Sequence, residues 1–230
     1  MDKVYAIATN TSLPRFNRWG DQTFHVLWSV SFFQLGKRTL DMLLALTFVI
    51  CFLPFYLLLG ALTYFTSKGP VIFKQERLGK DGKSFTMYKF RSMITDAERH
   101  RPLLAVPNDP RITKWGRFMR RYKLDETPQF FNVLAGSMSI VGPRPERAYF
   151  LDKLTRNHPR LQDLGQVKPG ITSLGQIKFG YASNLRQMHQ RARFDLLYLN
   201  NQSLWTDLKI IGLTAIYVIR GRGSISPMQA

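Results

Sequence analysis

Between Met42 and Ser67 the chain holds 26 residues without a single charge. Wound as an α-helix, such a run would reach about 39 Å, longer than the roughly 30 Å hydrocarbon core of a bilayer. Apolar runs of this length without a polar face are rare in soluble cores, so the segment is expected in a membrane. How it sits there is a separate matter. Pro54, near the middle, lacks an N–H and crowds the carbonyl four residues back. Both flanks are basic, with Lys37 and Arg38 before the run and Lys68, Lys74, Arg77 and Lys80 after it. Lys and Arg mark the cytoplasmic side, so both ends vote for the same face. A re-entrant anchor, helix–break–helix with the break at Leu53–Pro54, satisfies both votes. A kinked helix that crosses the bilayer satisfies the hydropathy as well, because Pro is tolerated in membrane helices. Charge alone leaves the two open.

The remainder of the chain bounds what this anchor carries. With 230 residues, 45% of them hydrophobic, it can bury the core of one domain of moderate size. The net charge of 33 − 15 = +18 implies an anionic partner: nucleic acid, an acidic lipid surface or a phosphate-rich substrate. The lone Cys51 excludes an internal disulfide, and the four histidines (His25, His100, His158, His189) lack metal-ligand spacing. No P-loop, G-x-S-x-G, H-E-x-x-H or G-x-G-x-x-G string is present. Met1–Gly20 has no apolar h-region, so no cleavable signal is expected.

Local pattern places the elements. Asp21–Leu35 reads as a short amphipathic helix capped by Asp21. Val71–Met93 reads as short strands around a turn at Lys80–Lys83, where Asp81-Gly82 is a hairpin signal. Residues 94–110 suggest a short helix and a loop. In "RITKWGRFMRRYKL", Ile112, Trp115, Phe118, Met119 and Tyr122 form an aromatic helix face opposite Lys114, Arg117 and Arg121. Such a helix lies on a core or at a membrane interface. "VKPGITSLGQIKFGYA" suggests turns and short strands, followed by a polar helix over Asn184–Asn200. The apolar run Ile210–Ile219 is too short to span a bilayer and suits an interface or core helix. The expected fold class is α+β: a re-entrant membrane anchor (37–67) and a small cytosolic α/β catalytic unit with interfacial amphipathic helices (68–221). An N-terminal extension (1–36) and a C-terminal tail (222–230) flank them.

"KLDETPQFFN" holds the only two acidic residues between Pro110 and Pro145, Asp125 and Glu126. Arg111, Lys114, Arg117, Arg120, Arg121 and Lys123 precede them. By itself the string is a good helix start, with Asp125 as N-cap and Pro128 in the first turn. A carboxylate among these cations should also stay ionised with a depressed pKa, which describes a carboxylate nucleophile attacking phosphorus. Successive helical residues point about 100° apart, so the pair divides its labour rather than acting as one fused acid. In "GPRPE", Pro143 and Pro145 bracket Arg144 and hold it extended, a rigid mount for a guanidinium that grips phosphate. A Pro-rich turn that merely exposes an Arg reads equally from this string alone.

Taken together, "KRTLD", "YKFRSM" (88–93), "LDETPQFFNVLAGSMSIVGPRP" (124–145) and "VKPGIT" (167–172) resemble the bacterial sugar transferases of the monotopic phosphoglycosyl transferase superfamily. The resemblance runs from about Lys37 to about Gly221. It implies transfer of a sugar-1-phosphate from a UDP-sugar to undecaprenyl phosphate with release of UMP, initiating a surface glycan. By motif, Asp125 corresponds to the nucleophile that carries a covalent phosphosugar, and Glu126 to the partner that, with Asp125, places Mg²⁺. Arg120 and Arg144 take phosphate contacts, and Lys89 and Arg91 complete the cationic site. Pro143, Lys168 and Gln176 fall on the substrate-contacting motifs, and Pro54 on the anchor break. Ser173 and Gly175 depart from the family's usual Gly and Ala after the P-G-I-T turn. The resemblance further implies a monotopic place on the cytoplasmic face of a bacterial inner membrane, contact with anionic lipids, no nucleic-acid partner, and room for a homodimer. A membrane-tethered polyanion- or nucleic-acid-binding protein is the alternative that the charge of +18 allows.

Overall fold

The computed structural model describes residues 22–98 and 102–221, with side chains from residue 32 onward. The chain divides into two units, 1–35 and 36–230. Helix α1 (Gln22–Thr66) opens the described chain and contains Pro54. The short amphipathic helix expected over Asp21–Leu35 is therefore part of α1, and Asp21 itself lies outside the described residues. Nor do two helices meet at the expected Leu53–Pro54 break, because the helical path continues across it. Proline costs the helix one N–H bond, and the bonds on either side keep the path helical. Phe32–Thr66 is the one stretch, among the described residues, long and apolar enough to cross a membrane.

Strands β1 (Ile72–Leu78) and β2 (Ser84–Phe90) form the expected antiparallel hairpin, pairing Ile72 with Phe90 and Leu78 with Ser84. Its turn places Asp81 and Gly82 at positive φ (57° and 71°), the geometry that Asp-Gly tolerates. The helix expected within 94–110 is absent among the described residues, which form turns and extended chain. Asp109 organises this loop by accepting from the Arg111 guanidinium and from the backbone of Val106 and Arg111, competing with helical bonding. Helix α2 (Lys114–Arg121) starts at Thr113, whose hydroxyl accepts from the Gly116 N–H, and exposes Lys114, Arg117 and Arg121 as expected.

After α2 come α3 (Gln129–Leu134), β3 (Ser139–Val141), α4 (Ala148–Asn157), β4 (Gly170–Thr172), α5 (Leu174–Lys178), α6 (Leu185–Asn200) and α7 (Leu204–Ile219). Asn184 and Ser203 cap α6 and α7 through their side chains. Strands β3 and β4 pair in parallel, Ser139 with Gly170 and Val141 with Thr172. Gly142 and Gly170 make this crossing feasible: a Cβ on Gly170 would lie 2.2 Å from the Gly142 nitrogen, and one on Gly142 2.5 Å from the Lys168 oxygen. Ala45, Met87, Val133, Met138, Ile140, Val141, Tyr198 and Ile210 form a buried core to which α1, β2, α3, β3, α6 and α7 all contribute.

From Lys37 onward, one face of α1 packs on this body at intervals of three or four residues. Lys37 ion-pairs with buried Asp207 (2.5 Å), and Asp41 accepts the Ile140 N–H (2.9 Å). Arg38 donates to the carbonyls of Val133 and Leu134, satisfying the C-terminal end of α3. Phe48 stacks on Phe130 with centroids 3.9 Å apart, and the Tyr56 hydroxyl donates to the Thr127 carbonyl (2.9 Å). Leu59 packs with Phe90 and Met119, and Thr63 accepts from the Trp115 indole (3.1 Å). These contacts lie on both sides of Pro54. The opposite face, with Leu43, Leu46, Ile50, Leu53, Leu57 and Phe65, is exposed.

Candidate active site

The acidic pair sits in a 3₁₀ turn, Leu124–Glu126, between α2 and α3. Lys123 enters that turn in the left-handed region (φ 57°) and swings the chain inward, so that Asp125 and Glu126 are 2% and 3% exposed. The expected N-cap role of Asp125 is not what the turn uses. The backbone bonds Thr127 N–H to Leu124 O and Phe131 N–H to Pro128 O satisfy the entry to α3, leaving the carboxylate free to point elsewhere.

The two carboxylates have different surroundings. Glu126 accepts from Lys89 (2.8 Å), Lys123 (3.0 Å) and Arg144 (3.3 Å). Burial alone would raise its pKa, but the Lys123, Lys89 and Arg144 charges outweigh burial and hold it well below the usual carboxylate range. Asp125 approaches one cation, Arg120 Nε at 4.0 Å, and that nitrogen donates instead to the Ser92 hydroxyl (2.9 Å). Its Oδ1 is buried without a hydrogen-bond partner. Burial, then the charge of Glu126, push the Asp125 pKa up, so the expected depression belongs to Glu126. Lys89, buried beside them, is pushed down to about 8 because desolvation exceeds the attraction of Glu126.

Arg144 arrives through the Pro-Arg-Pro turn and is fixed at its backbone. The Pro143 carbonyl accepts the Gly170 N–H (2.9 Å), and the Arg144 N–H donates to Asp195 Oδ2 (3.3 Å). Asp195 also accepts the Gly175 N–H (2.8 Å), tying α5 and α6 to the turn. Behind it, Glu146 pairs with Arg191 and, at 3.9 Å, with Arg77. The Tyr181 ring lies 4.9 Å from the Lys123 ammonium and 5.8 Å from the Arg144 guanidinium.

Two of the expected site residues are engaged elsewhere. The Arg91 guanidinium binds the Ser67 and Pro70 carbonyls and the Ser67 hydroxyl at the end of α1, so it serves the anchor junction although it lines the cavity wall. Lys168 lies near Arg38 beside Gly136 and lines neither of the cavities at the dyad. Gln176 lines a cavity next to the dyad, with Oε1 buried and unpartnered. Asp195, Tyr181, Arg77, Arg191 and Ser92 are not marked as site residues by the sequence. Asp195 sits in a helix whose polar pattern gave no hint of the distant N–H groups it accepts.

Two cavities meet at this cluster. A polar one of about 480 Å³ is walled by Arg77, Lys89, Arg120, Asp125, Arg144 and Arg147 among others. An apolar one of about 380 Å³ touches Glu126 and Lys123. Arg144, Tyr181 and Arg191 line both. Of the two carboxylates, Glu126 is surrounded by three cations, so Asp125, with its Oδ1 unpartnered, is the one that could meet a divalent ion. No cluster of three metal-ligating side chains occurs among the described residues, and Mg²⁺ shared between one or two carboxylates and substrate phosphates does not require one.

A family model described as bacterial sugar transferase matches residues 32–221. The chain is 39% identical over 188 residues to the UDP-N-acetylgalactosamine-undecaprenyl-phosphate N-acetylgalactosaminephosphotransferase of Aeromonas hydrophila, covering 82% of this chain and 44% of that protein. It is 43% identical over 180 residues to the UDP-glucose:undecaprenyl-phosphate glucose-1-phosphate transferase of Klebsiella pneumoniae, covering 77% and 39%. It is 37% identical over 187 residues to an uncharacterized sugar transferase, EpsL, of Bacillus subtilis, covering 81% of this chain and 89% of that one. The chain thus spans less than half the length of the first two relatives.

Proposed function

This chain belongs to the bacterial sugar transferase family, and we propose that it moves a sugar-1-phosphate from a UDP-sugar to undecaprenyl phosphate and releases UMP, starting a surface glycan. The observation that carries the chemistry is the unpartnered, buried Asp125 Oδ1 on a cavity walled by Lys89, Arg120 and Arg144. In the first step, Asp125 Oδ1 forms a bond to the sugar-bearing phosphorus of the donor. The bond from that phosphorus to the bridging oxygen breaks, and UMP leaves with the electron pair. In the second step, a phosphate oxygen of the acceptor attacks the same phosphorus, and the aspartyl oxygen leaves as carboxylate. Arg120 and Arg144 stabilise the phosphoryl charge in both steps from fixed positions, which avoids reorganisation. Glu126, held ionised, keeps Lys89, Lys123 and Arg144 gathered and positions them for the incoming phosphates.

With one unpartnered carboxylate oxygen on the dyad, a divalent ion is expected to bind chiefly through the diphosphate of the donor. Mn²⁺ should then show no binding to the free protein and clear binding once UDP is added; tight binding without nucleotide would contradict this.

The membrane reading is a same-face anchor on the cytoplasmic side. Its support is that α1 packs on the catalytic body through Lys37, Asp41 and Phe48 before Pro54 and through Tyr56, Leu59 and Thr63 after it. A perpendicular span would carry one of these sets away from water-borne substrates. The transferred sugar stays open, because the relatives' names include both N-acetylgalactosamine and glucose. Polyanion or nucleic-acid binding leaves the buried dyad without a task. Purified protein given a panel of UDP-sugars without acceptor should release at most one UMP per enzyme and retain the sugar covalently. Asp125→Asn should abolish both signals, and full activity in that variant would end the aspartyl mechanism.

A further inference from the structure

The apolar cavity is built as a different kind of site from the polar one beside it. Phe48 and Phe52 of α1, Phe130 of α3, Ile171 of β4, Ile177 of α5 and Val218 of α7 supply much of its wall. Thr172 and Thr214 also line it, but their hydroxyls bond each other at 2.7 Å and ask nothing of a ligand. All the charged side chains on it, Lys123, Glu126, Arg144 and Arg191, belong to the dyad cluster, and Arg144 and Arg191 also line the polar cavity. Beside that charged end stands Gln176, an amide whose buried Oε1 lacks a partner and which can turn either end to a head group. A ligand matching this layout has an apolar body and one anionic head. A nucleotide-sugar has no such body.

We propose that this cavity seats the first isoprene units of the lipid acceptor, so that donor and acceptor approach the dyad from opposite sides of the wall formed by Arg144, Tyr181 and Arg191. The proposal rests on the transferase activity argued above and adds where the acceptor lies. A volume of about 380 Å³ is at the small end of ligand sites, enough for a few isoprene units and not for a long polyprenyl chain. The remainder continues into the bilayer. The helices that wall the cavity, α1 and α7, also carry exposed apolar residues on their outer faces, including Ile50, Leu53, Leu208, Ile216 and Ile219. The acceptor phosphate then passes Lys123 and Arg144 on the Glu126 side and, once UMP has left, reaches the phosphorus opposite Asp125 Oδ1.

The test uses the full chain in mixed vesicles and compares prenyl phosphates of increasing length with straight-chain alkyl phosphates of equal carbon number. The acceptor KM should fall about tenfold or more over the first few isoprene units and then level off, and matched alkyl phosphates should bind about tenfold less well. A KM that follows total chain hydrophobicity, with alkyl and prenyl acceptors equal, would overturn the proposal, because the chain would then serve only as a membrane anchor. Narrowing the cavity with Ala215→Trp, or with the milder Val218→Phe should the first fail to fold, is expected to raise acceptor KM about tenfold. UMP release from donor alone is the check on folding and on the covalent step. Normal release with an unchanged acceptor KM in both variants removes the cavity from acceptor binding. Loss of that release in the wild-type protein strikes the covalent step, while the wild-type acceptor series still decides the cavity.

Discussion

Glu126 shares its two carboxylate oxygens among Lys89, Lys123 and Arg144, whereas Asp125 keeps one oxygen unpartnered. An attacking carboxylate must be ionised and unencumbered, and Asp125 meets the second condition better than its neighbour. Its raised pKa sets the first: the acid limb of donor-only UMP release should lie above the ordinary carboxylate range, and a limb within that range would contradict the raised pKa. Glu126→Gln should cost more in stability, about 3 kcal/mol, because three buried cations lose the charge that gathers them. Denaturant titration checks this, and a change below about 0.5 kcal/mol would show those cations to be well solvated. Arg144→Lys keeps the charge and loses the planar fork, so kcat/KM should fall about tenfold or more. An unaltered rate would reduce Arg144 to a general field. Asp195 makes a separate prediction, since burial pushes it up to about 6 despite the Gly175 and Arg144 N–H groups it accepts. Its folded pKa exceeds its unfolded one, so the native state holds the proton longer. Its contribution to stability is fully present below pH 4 and is lost as pH rises from about 4 to about 6. Asp195→Asn should flatten that part of the stability–pH curve relative to the wild type. Parallel curves would assign Asp195 a normal pKa.

Elements whose cause is local were legible in the sequence. Asp81-Gly82 specified the β1–β2 turn, the aromatic and basic faces specified α2, and the charge-free run specified the anchor helix. Elements whose cause is remote were not. Strands β3 and β4 have three residues each and exist through a parallel pairing that depends on Gly142 and Gly170 passing closely. The dyad was legible by type, but its division of charge was not, because Lys89 stands 37 residues before Glu126 and Arg144 18 after it. The partners of Arg91 were not legible for a related reason: they are set by where α1 ends, which periodicity cannot report. At α1 the sequence left two topologies open, a same-face anchor and a kinked helix that crosses. In a Cys51→Ala background, Asn10→Cys and Lys83→Cys should both react with a membrane-impermeant thiol reagent only after cells are opened. Labelling of position 10 in intact spheroplasts would mean that the chain crosses, and the same-face anchor would be lost.

At the scale of the molecule, the charge of +18 and the exposed apolar faces are two separate means of meeting a membrane. Charge attracts from a distance and is screened within about 8 Å at physiological salt, whereas a buried apolar face is insensitive to salt. Much of the positive charge nearest the dyad is engaged internally, with Glu126 and Glu146 as its counter-ions. Helix α7 then offers the cleaner test, because its outer face is exposed at Trp205 (65%), Ile216 (48%) and Ile219 (79%), with Lys209 lying over the Trp205 ring. This arrangement of a Trp, a Lys and aliphatic residues suits a helix lying at the head-group level, with its apolar side in the acyl region. Replacing both Ile216 and Ile219 by Glu removes no core contact and places two carboxylates on that side. Folding and donor-only UMP release should survive, while transfer to a vesicle-borne acceptor falls about tenfold or more, since a charge on an apolar membrane face costs on the order of 1 kcal/mol or more. Raising salt should not reproduce the defect in the wild-type protein. Equal losses in the donor-only and vesicle reactions would place α7 against protein or water rather than lipid, and the anchor would be α1 alone.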